Sequence, residues 1–247
     1  MFDVTPFKSV VATEPHKAVS DKYRFINTVD VLQAFKSKGW EPSNVSEARV
    51  RDFSKKGFQK HLIRLRNPEC QVVTPGNDRL IPEIVVINSH DRSAALQVLG
   101  GFFRTACANG LIVGTTWERY RIRHVGSIVD DVYSIVEEIV SKMPEIVSRI
   151  ERFQRVTLST VQQEDFAKNA GLLRWEEKTL PSIYRLNRPE RMNDRGNSLW
   201  LTLNRVQEHL IKGTYGVRRI TSIPEVVRIN QGLWDLAEET AKEFATV

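Results

Sequence analysis

The sequence predicts an α+β protein, and two kinds of periodicity indicate it. Apolar and charged residues alternate within residues 45–66, and a β-branched run follows at Ile84–Ile87, so both segments are typical of strands. Apolar residues recur every three or four positions over Ile128–Phe153, which is the period of an amphipathic helix. We therefore expect an α+β core with a mostly antiparallel sheet over residues 1–157. A helical C-terminal region over residues 158–247 should pack on that core.

A short helix and a β-hairpin are predicted near the start of the chain, after an irregular segment. Thr28 is a typical N-cap for a helix over Val29–Lys38, and Gly39 should end that helix. The alternating stretches of residues 45–66 are separated by Lys55-Lys56-Gly57, which suits a turn. The sequence therefore predicts a helix followed by a hairpin with a basic turn.

Further strands are predicted in the middle of the chain. Pro82 should open a strand over Glu83–Asn88, and Ala94–Arg104 should return as its antiparallel partner. The segment Thr105–Val113 is compatible with either a helix or a strand. Alternation returns over Trp117–Val125, which predicts one more strand.

The second half of the chain reads as helical. The helix over residues 128–153 should be kinked near Pro144, because proline cannot donate the helical hydrogen bond. Residues 171–197 contain prolines and five arginines, which predicts a basic loop. Shorter helices are predicted over residues 160–169, 198–212 and 224–245.

Composition excludes several classes of protein. Two cysteines, Cys70 and Cys107, are too few for a disulfide framework or a four-thiolate zinc site, so we expect a reducing compartment. No apolar run is long enough to cross a membrane, and no secretory signal is recognisable at the N-terminus. The five histidines are scattered, and no phosphate-binding glycine motif is present. We therefore expect no metal, no cofactor and no membrane partner.

The positive charge is clustered, which points to a polyanion. The chain carries 36 Lys and Arg against 30 Asp and Glu, and residues 49–66 hold seven of these bases but one acid, Asp52. Segregated positive charge is typical of a surface that tracks phosphates, although an ordinary solvated strand face would show the same pattern. The residues expected to contact nucleic acid are Arg49, Arg51, Lys55, Lys56, Lys60, Arg64 and Arg66, continued by Arg119, Arg121 and Arg123.

Aromatic residues lie beside these bases and could stack on nucleotide bases. Phe53, Phe58, Trp117 and Tyr120 all have basic neighbours in the sequence. Aromatics at such spacing are also typical of a protein core. No RNA-recognition signature, zinc finger or basic zipper is present, so the sequence does not indicate sequence-specific reading of a duplex.

His90-Asp91 is the polar pair best suited to acid–base chemistry, with serines at positions 89 and 93. A hydrolase or nuclease using this pair is one interpretation. The other is a structural turn in which Asn88 or Asp91 bonds backbone amides, because sequence neighbours on a turn rarely face one another as a catalytic group must.

Two longer motifs resemble a known family. The first motif is the run Asn88-Ser89-His90-Asp91-Arg92-Ser93 followed by the segment from Phe103 through Arg104 to Asn109-Gly110-Leu111. The second is the helix with Asn204, Gln207 and Glu208. Both resemble the phage/plasmid-like family called domain of unknown function 932. Arg92 stands where that family usually has glycine. The resemblance implies a phage or mobile-element origin and hence the cytoplasm of a bacterial host, but it assigns no catalytic residue.

A weaker resemblance is to the single-strand annealing proteins of phage recombination. Their order of a helix, a β-hairpin and a strand leading into a helix is similar to the order predicted over residues 29–113. This resemblance implies a basic groove for single-stranded DNA and a homo-oligomer.

Two functions are compatible with these observations. The first is a non-catalytic nucleic-acid-binding protein of a phage or plasmid, acting on single-stranded DNA in recombination or strand annealing. The alternative is a mobile-element protein that binds a host defence protein through the apolar helix over residues 128–153 or through the C-terminal helix containing Trp234.

Overall fold

The fold is α+β, as predicted, with an early sheet and a helical second half. The computed structural model describes residues 2–20, 23–67, 69, 72–73, 79–104, 109–111, 119–122, 128–213 and 218–244. These residues belong to two compact units. Unit 1 comprises residues 1–72, 81–103 and 116–143, and unit 2 comprises residues 73–80, 104–115 and 144–247. The domain boundary expected after residue 157 stays a prediction.

Unit 1 begins with helix α1 (Thr28–Ser37), which ends where the sequence indicates but starts one residue early. Asn27, not Thr28, is the N-cap, and its side chain accepts a hydrogen bond from the Val29 amide at 2.9 Å. The Thr28 prediction was wrong because its hydroxyl is buried and bonded to other side chains. Gly39 follows the helix with φ of +81°, a conformation that favours glycine.

The predicted hairpin is present. Strands β1 (Glu41–Glu47) and β2 (His61–Arg66) pair antiparallel, and the 13 residues between them form a loop that contains a short 3-10 helix at Phe53–Lys55. The first strand therefore ends earlier than expected, so Arg49 and Arg51 lie in the loop rather than on a strand.

The remaining strands follow the predicted order. Strand β2 pairs antiparallel with β4 (Arg79–Asn88), which is the neighbour of β5 (Leu96–Arg104), and β5 pairs antiparallel with β7 (Arg119–Ile122). The sheet also contains two short strands, β3 (Val72–Val73) and β6 (Asn109–Leu111). The open choice over Thr105–Val113 is thus a strand at β6, while residues 105–108, 112–118 and 123–127 lie outside the described part.

The core of unit 1 forms where α1 and the N-terminal part of α2 (Ile128–Arg155) cover the strands. Phe35 of α1 and Ile63, Ile84 and Val86 of the strands have no exposed surface, and Ile139 of α2 is nearly as buried. Both faces of β4 are buried, as its β-branched run predicts. Pro144 lies inside α2, and the kink expected there stays a prediction.

Unit 2 is helical. Among the described residues, the C-terminal part of α2 is followed by four α-helices, and three of them match the predicted helices to within three residues at each end. Ser159 and Ser198 cap the helices that follow them through their hydroxyls. The helices are α3 (Thr160–Leu172), α4 (Ile183–Leu186), α5 (Leu199–Lys212) and α6 (Ile223–Phe244), of which the short α4 lies inside the predicted basic loop.

Candidate nucleic-acid interface

The loop that joins β1 to β2, residues 48–60, is called the hairpin loop below, and backbone bonds hold it in place. The Ala48 amide donates to the Lys60 carbonyl at 2.8 Å, which closes its base. The His90 amide donates to the Phe58 carbonyl at 2.8 Å, which ties the loop to the turn after β4. Gly57 has φ of +95°, so the sharp turn expected at Lys55-Lys56-Gly57 is formed.

Five of the predicted phosphate-binding residues lie in the hairpin loop. Arg49, Arg51 and Lys56 are exposed, and Lys55 and Lys60 are half-buried. Within the part of the chain that the structure describes, none of the five forms an ion pair. The loop's carboxylate, Asp52, accepts hydrogen bonds from the hydroxyl and amide of Ser54, which hold its pKa below the ordinary value. The loop therefore presents an excess of positive charge to solvent.

The same loop exposes an aromatic ring. Phe53 is 81% exposed and lies in the 3-10 helix between Arg51 and Lys56, whereas Phe58 is half-buried and packs edge-on against the His16 ring at 5.3 Å. The sequence did not distinguish these two aromatic residues, but their exposure in the structure does. Of these two, Phe53 is the aromatic whose face is open to a base, while Trp117 and the side chain of Tyr120 lie outside the described residues.

Arg64 and Arg66, in contrast, form ion pairs with a buried carboxylate on the neighbouring strand β4. Arg64 Nη1 donates to Glu83 Oε2 at 2.6 Å, and Arg66 Nε donates to Glu83 Oε1 at 2.8 Å. Glu83 has no exposed surface, so its charge depends on these two guanidinium groups. The seven bases predicted as one cluster therefore divide into five in the loop and two that neutralise a buried carboxylate.

The remaining predicted cations are located only in part. Arg119 and Arg121 lie on β7, in register with Leu99 and Gln97 of β5. The side chains of Arg119 and Arg121 and the whole of Arg123 lie outside the described residues, as do the side chains of Arg104 and Asn109, whereas Gly110 lies on β6.

The turn after β4 is built by side-chain bonds to the backbone. Asn88 Oδ1 accepts from the Ser89 amide at 2.9 Å, and Asp91 Oδ1 accepts from the Ser93 amide at 3.0 Å. Ser89 Oγ both donates to the Ala94 carbonyl and accepts from its amide. Arg92 has φ of +68°, the left-handed conformation expected of the glycine it replaces. The structural interpretation of this motif expected such bonds from Asn88 or Asp91 to backbone amides, and both residues form one.

His90 is part of a buried hydrogen-bond chain centred on Thr28. The Thr28 hydroxyl lies 3.0 Å from His61 Nε2 and 3.2 Å from His90 Nε2, and it accepts a bond from Asn88 Nδ2 at 3.1 Å. His61 Nδ1 lies 3.2 Å from the Gln59 carbonyl. These three side-chain contacts of Thr28 and the contact of His61 with a backbone carbonyl leave one consistent arrangement of hydrogens.

The arrangement follows from which atoms can only accept. The Gln59 carbonyl is an acceptor, so His61 Nδ1 carries the hydrogen and neutral His61 accepts at Nε2. Thr28 must then donate to His61, which leaves its oxygen to accept from Asn88 and from His90 Nε2. Burial lowers the pKa of His61 to about 4, against a smaller opposing effect of the Gln59 carbonyl, so His61 is neutral near pH 7.

This geometry does not support a hydrolase at His90-Asp91. His90 has no exposed surface, and its Nε2 is directed at Thr28. The carboxylate of Asp91 bonds the Ser93 amide in the turn. Within the described residues, no group of three or more His, Cys, Asp or Glu is arranged to hold a metal ion.

The helix motif in unit 2 is also buried and bonded. Asn204 Nδ2 donates to the Trp200 carbonyl at 2.6 Å, and Gln207 Nε2 donates to Asn230 Oδ1 of α6 at 2.7 Å. Glu208 accepts two hydrogen bonds from Arg191 at 2.5 and 2.6 Å. Burial raises the pKa of Glu208, but its bonds with Arg191 and Lys212 outweigh this and hold it below the ordinary value.

Sequence reasoning missed Arg205, which organises the same region. Its guanidinium is buried and donates to the carbonyls of Asp194 and Gly196 at 2.7 and 2.9 Å. It also donates to Asn187, Gln163 and Thr202, so the whole fork is used. A signal was available, because Arg205 lies among apolar residues of an amphipathic helix, where an unpaired charge would be unfavourable.

Membrane insertion gains no support from the helices: none in the described part of the chain is long and apolar enough to span a bilayer. On the apolar face of α2, the described residues Ile135 and Ile139 belong to the core of unit 1. Trp234 is 1% exposed and packs on Phe153 at 5.1 Å between ring centroids. These residues of the two surfaces suggested for binding a host protein are therefore buried, and the host-protein alternative stays a prediction.

Comparison with known proteins covers nearly the whole chain. The family described as domain of unknown function 932 matches residues 15–234. The UPF0380 proteins YafZ and YfjQ of Escherichia coli strain K12 are each 31% identical to the chain over 249 aligned residues, which cover 96% of this chain and 89% of the relative. No solved structure matches it. Neither relative's name states an activity or a ligand.

Proposed function

The chain belongs to the domain of unknown function 932 family, and we propose that it is a non-catalytic protein that binds single-stranded DNA through the hairpin loop. The observation that carries the proposal is the 81% exposure of Phe53 among Arg51, Lys55 and Lys56. Phe53 is the most exposed large apolar side chain of the described residues, and the basic residues around it favour an anionic partner whose bases can stack on the ring.

Single-stranded nucleic acid fits this chemistry better than a duplex does. Stacking on Phe53 requires an unpaired base face, and the neighbouring cations can bind the phosphates on either side of that base. The hairpin loop contains only a three-residue 3-10 helix, which is too short to serve as the α-helix or two-stranded ribbon that enters a major groove. We therefore expect binding that tolerates changes of base sequence and depends strongly on salt.

The finer proposal concerns the biological step. The resemblance of the helix, hairpin and strand order to annealing proteins supports a role in phage or plasmid recombination, with several copies arranged along the strand. Annealing needs no nucleotide hydrolysis, so the basic loops of an oligomer would suffice. Mixing two complementary oligonucleotides that carry a fluorophore and a quencher measures this step, and the protein should accelerate quenching.

Fluorescence anisotropy of labelled 30-nucleotide strands tests the binding itself. Single-stranded DNA, single-stranded RNA and duplex DNA are titrated at 50 and 200 mM salt with the full chain. We expect single-stranded DNA to bind most tightly and its affinity to fall steeply with salt. Phe53→Ala should weaken binding about fivefold or more, because stacking is worth about 1–3 kcal/mol per base.

A matched control separates the hairpin loop from general positive charge. Lys36 is an exposed lysine at the C-terminal end of α1, beyond the opposite end of β1 from the hairpin loop. Lys36→Glu changes the net charge by the same amount as Lys56→Glu, but only the second should reduce affinity strongly. Equal losses in the two variants, or binding of wild type that ignores salt, would refute the proposal.

A further inference from the structure

A second surface with the same combination of side chains lies in unit 2. Residues 182–196, called the arginine loop below, expose Tyr184 by 74% and Met192 by 71%. Arg185 and Arg195 of this loop are exposed as well. No residue of the loop was singled out by its sequence beyond the general excess of arginine.

Buried side chains of α5 hold the arginine loop in one conformation. Arg205 binds the carbonyls of Asp194 and Gly196, and Arg191 is clamped by Glu208. The loop is also fixed at its centre, where His209 Nε2 donates to the Arg188 carbonyl at 2.8 Å. A loop anchored in this way loses little conformational entropy when its outward side chains bind a ligand.

We propose that the arginine loop is a second contact surface for single-stranded DNA, in which Tyr184 stacks on a base and Arg185 and Arg195 bind phosphates. This inference rests on the proposed function of the hairpin loop. The same chemistry recurs in both units: an aromatic ring more than 70% exposed, within two residues of an exposed arginine.

A protein partner is the main rival, because tyrosine, methionine and arginine are also enriched at protein interfaces. Charge favours the nucleic acid. Glu190 is the exposed carboxylate of the loop, since Asp194 is buried. The exposed arginines of the loop outnumber it. A strand of phosphates complements this excess along its whole length.

The test uses the full chain and a labelled 30-nucleotide thymidine strand. Tyr184→Ala should weaken binding about fivefold or more, and Arg185→Ala with Arg195→Ala should reduce the salt slope by about 1.4, or 0.7 for each phosphate contact. The matched controls are Val161→Ala and Lys178→Ala, which alter an exposed apolar residue and an exposed cation of unit 2 outside the loop. Thermal melts confirm that each variant is folded.

The outcomes separate this inference from the proposed function. Loss of affinity in the loop variants with unchanged controls supports the second contact. If the loop variants bind as wild type while the hairpin-loop variants are impaired, the inference is wrong, the proposed function stands, and the arginine loop serves another partner. If wild type binds no oligonucleotide, both are wrong. A bromodeoxyuridine strand should also crosslink to Tyr184, and crosslinks confined to unit 1 would contradict the inference.

Discussion

Reversing two charges in the hairpin loop should abolish much of the binding without disturbing the fold. In the variant Lys55→Glu with Lys56→Glu, both side chains lie at the turn, and neither forms an ion pair within the described residues. The backbone bonds of the turn, such as the Lys55 amide to the Asp52 carbonyl, do not involve the side chains. We expect a change in the free energy of unfolding within about 0.5 kcal/mol.

The effect on binding follows from the counterions that each lysine releases. A contact with a single strand contributes a salt slope of about 0.7, so the loss of two contacts should lower the slope by about 1.4. At 0.15 M salt each contact is worth about 0.8 kcal/mol, and losing both weakens binding about fifteenfold before any repulsion is added. The new carboxylates repel the phosphates, so fifteenfold is a lower bound.

The assay is anisotropy of a labelled single strand at four salt concentrations between 50 and 300 mM, paired with a thermal melt of each variant. Lys36→Glu with Lys178→Glu serves as the control for net charge, because it reverses two exposed lysines outside the hairpin loop. An unchanged salt slope in a variant that melts with wild type would refute the assignment of phosphate binding to the hairpin loop. A melting temperature lowered by more than about 2 °C would instead refute the claim that the loop side chains are structurally independent.

The other predictions concern the buried polar groups, all measured by urea unfolding. Thr28→Val should lower the free energy of unfolding by about 3 kcal/mol, because three buried polar atoms lose their partner, and Thr28→Ser should lose less than half of that; equal losses would contradict the hydrogen-bond chain. Lowering the pH from 6.5 towards 4 should destabilise wild type by about 3 kcal/mol more than His61→Gln, because His61 is protonated near pH 6.5 in the unfolded chain but only near 4 in the folded chain. Parallel pH profiles of the two proteins would show that His61 does not cause the loss of stability. Arg64→Ala should cost about 2 kcal/mol, since buried Glu83 loses a charged partner, whereas Arg49→Ala should be neutral within about 0.5 kcal/mol; the reverse order would contradict the division of the basic cluster.

Periodicity predicted the elements of this fold well, because burial on one face imposes it directly. The two-residue alternation located β2, and the spacing of apolar residues located α2 from Ile128 almost to its end at Arg155. The cap of α1 was placed one residue late, because Asn27 and Thr28 can both cap a helix. Only the buried histidines that occupy the Thr28 hydroxyl decide between them.

The candidate site was predictable as a cluster of charge but not as a surface. Alternation told which face Arg64 and Arg66 share, but not that β4 places Glu83 against them. Likewise, composition marked Phe53 and Phe58 equally, and their difference arises from a contact with His16, 42 residues from Phe58 in the chain. Such long-range pairings are what a single sequence conceals, because local patterns carry no record of the opposite strand.

The pairing of Glu83 with Arg64 and Arg66 also has a consequence for how the sheet selects its alignment. Glu83 is opposite Arg66 in the β2–β4 ladder and bonds Arg64 on the same face. A slip of one residue would turn every side chain of β4 to the other face and separate this carboxylate from both guanidinium groups. An unpaired buried charge is far more unfavourable than a displaced isoleucine, whose neighbours in β4 are equally apolar. The aliphatic residues of β4 would lose little packing energy in a shifted register. The pairing of Glu83 with Arg64 and Arg66 therefore selects a single register.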